Sequence, residues 1–176
     1  MIPLKLKERL NSLGIPEDIY NRRTRKCILS KEKLEMENVP WYRHAYFIPE
    51  GFETDSIIFD PVSLVPCIAL EPAKGDMILD MCAAPGTKTF ILSFLTDNKA
   101  QIAANDIDMY RIKRLTANAN KYNINCKILN MSGRKIEGSF SKILLDAPCS
   151  GEGMVNKKEK LFGHWSEKRV RFLAKK

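Results

Sequence analysis

"DMILDMCAAPGTKTFILSFL" (residues 76–95) runs from a short apolar stretch through a turn of small residues into nine residues with helical spacing. "DMILDM" (76–81) reads as a buried strand and "TKTFILSFL" (87–95) as a helix, with Pro85 and Gly86 marking the turn between them. The pattern repeats outward from there. "AQIAAND" (100–106) is a strand, "DMYRIKRLTANANKY" (108–122) a helix, and "CKILNM" (126–131) and "KILLDAP" (142–148) are further strands, with Ile143, Leu144, Leu145 and Ala147 read as buried. Strand, helix and strand at this spacing predict an α/β fold with a parallel sheet and right-handed crossovers. Ligands of such sheets bind beyond the carboxyl ends of the strands. The unusual residues of this sequence lie there.

The first 55 residues have another texture. "LKERLNSLG" carries Leu6, Leu10 and Leu13 at helical spacing, with Gly14 and Pro16 as a stop. Short strands follow around "KCILS" and "HAYFIP". Residues 1–55 thus form a small α+β lead-in segment, and residues 56–176 the main domain.

The composition, 44% apolar and 28% charged, is that of a globular protein. No run of about 18 apolar residues is present, so no membrane span is expected. Charges at Lys5, Lys7, Glu8 and Arg9 interrupt any signal-peptide core, so a cytoplasmic protein is expected. Five cysteines without a C-x-x-C pair argue against a disulfide framework and a zinc site. Cys27, Cys67 and Cys126 have apolar neighbours and read as core residues, whereas Cys82 and Cys149 stand beside turn formers. Of the net charge of +8, most falls after residue 130, where 11 basic side chains face 5 acidic ones. That balance suits a phosphate-rich partner and equally a solvated helix surface.

Three motifs sit at the strand ends. "LDMCAAPGTKT" (79–89) opens a helix, so its backbone amides can face a ligand. It is neither a P-loop, because Thr87 separates Gly86 from Lys88, nor a G-x-G-x-x-G fingerprint, because Gly86 is its one glycine. In "ANDID", Asp106 ends the next strand, where an acid accepts hydrogen bonds from ribose hydroxyls; Asp106 or Asp108 capping the next helix is the alternative. "LLDAPCSGEG" brings Asp146, Pro148 and Cys149 to the end of the fourth strand. A thiol at a polar, glycine-flanked turn is placed for reactivity, a structural cysteine being the alternative.

"LDMCAAPGTKT", "NDIDMYR" and "LLDAPCSGEGM", in that order, resemble the RsmB/NOP2/NSUN family of S-adenosylmethionine-dependent RNA cytosine-C5 methyltransferases. "VPWYRHAYFIPEG" is similar to that family's preceding subdomain, "FDPVSLVPCIALEP" to its lead-in helix, and "HWSEKRVRFLAKK" to the helix after its fourth strand. The resemblance implies a Rossmann-like methyltransferase fold, S-adenosylmethionine as cofactor, tRNA or rRNA as partner, and no metal. It implies that Cys82, Ala83, Ala84, Pro85, Gly86, Thr87 and Lys88 hold the methionine and ribose part of the cofactor. Asp106 would take the ribose hydroxyls, and Ser132 would stand near the adenine. Asp146 would face cofactor and target base, and Pro148 would shape the base pocket. The attacking thiolate of the family comes from a Thr-Cys pair after the fifth strand, and Cys149 would assist product release.

Four departures accompany the resemblance. No Thr-Cys pair occurs in the 176 residues. Four strands are present where the family has about three more, so the sheet is expected to be incomplete, with the fourth strand as an edge carrying Ile143, Leu144 and Leu145. Ser132 replaces an acid, and Thr87 a second loop glycine. A methyltransferase domain truncated after its fourth strand, completed by a second polypeptide, is the expectation. A non-catalytic RNA-binding remnant, or an enzyme using Cys149 itself as nucleophile, are the alternatives. In the basic tail, Trp165 and Phe172 would lie along RNA, or Trp165, Arg169 and Leu173 would pack through their apolar parts.

Overall fold

A computed structural model describes residues 2–16, 18, 24–151 and 165–175; Gly153 and His164, both within motifs quoted above, lie outside these. The chain divides into two compact units, residues 1–24 with 148–176, and residues 25–147. In the first, helix α1 (Leu4–Ser12) buries Leu6 and Leu10 and leaves Leu13 exposed. Its Lys5 pairs with Glu167 (3.2 Å) of a helix spanning Glu167–Leu173, whose cap Ser166 accepts from the Arg169 amide. Trp165 and Leu173 are half-buried there, and Arg169 and Phe172 exposed.

The second unit opens with a small antiparallel sheet. Strands β1 (Cys27–Leu29) and β2 (Asn38–Val39) flank β3 (Tyr42–Phe47). The two-residue β2 had no signal in the sequence. A turn at Pro61–Ser63 leads into α2 (Leu64–Ala69), and then the alternating pattern begins. It comprises β4 (Met77–Asp80), α3 (Thr87–Leu95), β5 (Gln101–Asn105), α4 (Met109–Lys121), β6 (Cys126–Leu129) and β7 (Lys142–Leu144). All four strands are parallel, in the order β6-β5-β4-β7.

Register explains the core. Partners in a parallel sheet share a face, so Ile78, Ile102 and Cys126 line up and meet Ile91 and Leu92 of α3. Cys27, Leu29, Val39 and Ala45 of the small sheet join the same core. The sequence boundary at 55/56 therefore falls inside this unit, where the two sheets share one interior. Further along the strands, Ala83, Ala84, Ala104 and Leu115 of α4 form a second cluster, directly beneath the loop that follows β4.

The burial expected over residues 143–147 is not found. Leu144 is buried, but Ile143 is 50% and Leu145 59% exposed, and Ala147 is exposed too. Among the described residues β7 pairs only with β4 and stops where β4 stops, at the Asp80–Leu144 register, after which the chain leaves the sheet. Ile143, the register partner of Leu79, projects from the opposite face to Leu144. Among the described residues, no helix is long and apolar enough to cross a membrane.

Candidate active site

The loop from Cys82 to Gly86 turns the chain from β4 into α3. Gly86 has φ 110°, a left-handed conformation that favours glycine, and a Cβ there would lie 3.0 Å from Leu115 Cδ1, so that side chain would have to give way by a few tenths of an ångström. The loop is pinned at several points. The Ala83 amide donates to Asn105 O (2.7 Å), the Gly86 amide to Ala83 O (2.8 Å), Asn118 Nδ2 to Pro85 O (2.8 Å), and Arg111 Nη2 to Ala84 O. Thr87 is the first residue of α3 with ordinary backbone, so the missing second glycine costs no strain. The first amides of α3 have no intrahelical acceptor and open towards the strand ends.

Two acids stand beside this loop. Asp106 is 2% exposed; its Oδ1 accepts from the Asp108 amide (3.0 Å). Arg111 Nη1 lies 3.0 Å from Oδ2 as an ion pair outside hydrogen-bond geometry, so this buried oxygen has no hydrogen-bond donor. The helix cap is Asp108, which accepts from the Tyr110 and Arg111 amides (2.8 and 3.2 Å). Asp80 is fully buried; its Oδ2 accepts from Thr89 Oγ1 (2.7 Å) and its Oδ1 has no hydrogen-bond partner among the described residues. Burial pushes the Asp80 carboxyl up to about 6, against the opposing Thr89 hydroxyl and Lys88 charge. Open carboxylate oxygens in a dry site are costly unless a ligand's donors complete them. The residues present thus fit a ligand with hydroxyls and a cationic end.

The floor is set by Asn105. Its Nδ2 donates to Met81 O and Met131 O (both 3.0 Å), and its Oδ1 accepts from the Met131 amide (3.1 Å), tying together the chain after β4, β5 and β6. Asn130 Nδ2 donates to Asp106 O (2.8 Å). Gly133 lets this segment close on Met81, since a Cβ would lie 2.9 Å from its sulfur. Ser132, just before, is half-buried. On the other side, Lys88 Nζ donates to Asp146 Oδ2 (2.6 Å). Pro148 and Cys149 belong to the first unit, where both are exposed.

The environments of the remaining cysteines disfavour their thiolates. Burial pushes the Cys27 and Cys67 thiols up to about 12 and raises Cys126. Cys82 is raised too, by burial first and then by Asp106 and Asp80. Among the described residues, no cluster of histidine, cysteine, aspartate or glutamate could hold a metal ion. Sequence reasoning missed Asp80, Asn105 and Arg111 as site residues. Arg111 falls five past Asp106 within "NDIDMYR", but nothing in that spacing marks it as a site residue. Arg111→Ala is expected to weaken cofactor binding about tenfold in a calorimetric titration, because both Ala84 O and Asp106 lose a partner. Arg111→Lys, lacking the fork, should recover only part of that.

A parallel sheet in this order, with a small-residue loop after β4 and a buried acid after β5, defines a Rossmann-like methyltransferase fold. Comparison with known proteins narrows this. The family model described as 16S rRNA methyltransferase RsmB/F matches residues 67–176. The tRNA (cytosine(49)-C(5))-methyltransferase of Pyrococcus abyssi is 31% identical over 93% of this chain and 56% of its own length. The ribosomal RNA small subunit methyltransferase F of Vibrio vulnificus (strain YJ016) is 32% identical over 98% of this chain and 39% of its own. The crystal structure of PH0851 superposes with a TM-score of 0.86, at 26% identity, over 99% of this chain and 47% of that one. This chain belongs to the RsmB/F family of S-adenosylmethionine-dependent methyltransferases. It spans about half, or less, of the length of these relatives.

Proposed function

We propose that this chain supplies the cofactor and base sites of an RNA cytosine-C5 methyltransferase acting on tRNA or rRNA in the cytoplasm. The observation that carries the reading is Asp106 Oδ2, buried without a hydrogen-bond donor beside the Gly86 loop. The Cys82–Lys88 loop holds the methionine and ribose end of S-adenosylmethionine, Asp106 accepts the ribose hydroxyls, and Ser132 lies towards the adenine. The cofactor, when bound, supplies an electrophilic methyl group on a sulfonium. Lys88 orients Asp146 through Oδ2, so the carboxylate can accept a hydrogen bond from the cytosine edge. Pro148 shapes the base pocket.

Carbon 5 of cytosine is a poor nucleophile, so a thiolate adds to carbon 6 and leaves carbon 5 enamine-like; after methylation a base removes the carbon 5 proton and the thiolate departs. With no Thr-Cys pair in the sequence, that thiolate comes from a segment or second polypeptide outside these 176 residues. The exposed Ile143 and Leu145 offer it an edge to complete. Cys149 then assists release of the methylated base. A second reading, in which Cys149 itself attacks, is favoured by its being the exposed thiol among the five.

Methyl transfer from labelled S-adenosylmethionine to unmodified total RNA, followed by nucleoside digestion, tests both. The expected result is cofactor binding by the chain alone, with 5-methylcytidine appearing only when a polypeptide bearing the Thr-Cys segment is added. Transfer by the chain alone, abolished in Cys149→Ala, would establish the second reading instead. Failure of the folded chain to bind S-adenosylmethionine would overturn both.

A further inference from the structure

The outer face of α4 has no role in the fold or in the site described above. Tyr110, Lys113, Arg114, Ala117 and Lys121 fall at i, i+3, i+4, i+7 and i+11, one narrow stripe opposite the buried Leu115 and Ala119. The helix contains four basic residues and no acid between Met109 and Lys121. At its start, Ile107, Met109 and Tyr110 are 68%, 62% and 82% exposed, an apolar tip directly after Asp106. Lys113 Nζ sits 5.8 Å from the centre of the Tyr110 ring.

A merely solvated helix surface does not account for this face. Arg111 is explained by its bonds to Ala84 O and Asp106; Lys113 and Arg114 reach neither of those groups. Nor does Tyr110 serve packing. An exposed aromatic ring heading a line of cations, along roughly 17 Å of helix, matches what single-stranded nucleic acid needs: a ring for a base to stack on and charges for the phosphates. The acid-free face gives charge complementarity to a polyanion.

Building on the RNA-methyltransferase reading, we propose that the outer face of α4 seats a single-stranded stretch of the substrate RNA, one base stacking on Tyr110 and phosphates meeting Lys113, Arg114 and Lys121. The stripe begins four residues past Asp106, which puts this RNA contact at the rim of the cofactor site.

The test is fluorescence anisotropy with a labelled single-stranded 12-nucleotide RNA, at several salt concentrations, using the full chain. Tyr110→Ala is expected to weaken binding about tenfold with the salt slope unchanged. Lys113→Ala with Arg114→Ala should flatten the slope of log affinity against log salt by about 1.4, two phosphates' worth for a single strand. Both variants should bind S-adenosylmethionine as the wild type does, which shows that they are folded. If the wild type binds RNA and the variants bind it equally, the α4 face is not the RNA seat and this inference falls alone. If Tyr110→Ala has no effect while the lysine and arginine variant weakens binding, base stacking is overturned. If the wild type binds no RNA, the RNA-methyltransferase reading fails and takes the inference with it.

Discussion

Asp106→Ala is expected to lower the affinity for S-adenosylmethionine about a hundredfold without unfolding the protein. A buried carboxylate accepting from two ribose hydroxyls makes two charge-assisted bonds, each worth about 1.5–3 kcal/mol against water, and about 3 kcal/mol in total already gives that factor. Stability behaves differently. The variant loses the Oδ1 bond from the Asp108 amide and the Arg111 ion pair, but it also removes a buried carboxylate oxygen that no hydrogen-bond donor satisfies. These changes oppose each other, so the urea midpoint should move little. Asp106→Asn keeps an acceptor and drops the charge, and about a tenfold loss is expected of it. Calorimetric titration of the three proteins measures this directly. Equal affinities would show that Asp106 is not the ribose acceptor and would move attention to Asp80, the other acid with an open oxygen.

The sequence disclosed the alternating elements well because their periods are clean. Thr87–Leu95 was read to the residue, and Met77–Asp80, Gln101–Asn105 and Met109–Lys121 to within one residue at each end. The fourth strand was read too long. "LLDAP" continues the apolar run past Leu144, but a strand lasts only as long as its neighbour, and β4 ends at Asp80. Pairing length is a tertiary property with no local signature. The same holds within the site. The glycine turn and Asp106 were visible as residue types at strand ends, whereas Asn105 looks like any polar residue until its amide is seen bridging Met81 and Met131. Arg111 was hidden because only the fold brings Ala84 within its reach. The choice between Asp106 and Asp108 as helix cap also needed coordinates, since either spacing permits a cap.

Asp80→Asn is expected to stabilise the protein at pH 8 relative to pH 4 by up to about 3 kcal/mol, measured against the wild type. Burial raises the Asp80 carboxyl to about 6, some two pH units above its ordinary value. A group raised in the folded state binds its proton more tightly there than in the unfolded chain. Its contribution is therefore fully present below about pH 4 and is lost as pH rises through about 6. Two units at 1.36 kcal/mol each set the size of that loss. Asparagine does not titrate, so its own cost, an amide facing the same dry space, is the same at both pH values. The groups facing Asp80 are Thr89, Lys88, Asp146 and Asp106, and all of them remain in the variant. Asp97, held down to about 2 by Lys31 and Lys74, acts in the opposite sense, adding stability above about pH 4, but does so equally in both proteins. Urea midpoints of the two proteins at pH 4, 5, 6, 7 and 8 isolate the difference. A difference that stays flat across this range would mean that Asp80 ionises in the fold as easily as in the unfolded chain. A difference that grows between pH 4 and 6 would mean the folded protein keeps an ionised, half-satisfied carboxylate at neutral pH. Such a group lowers stability and is useful only where something else comes to complete it, and its place here is the carboxyl end of β4, directly before the Cys82–Gly86 loop.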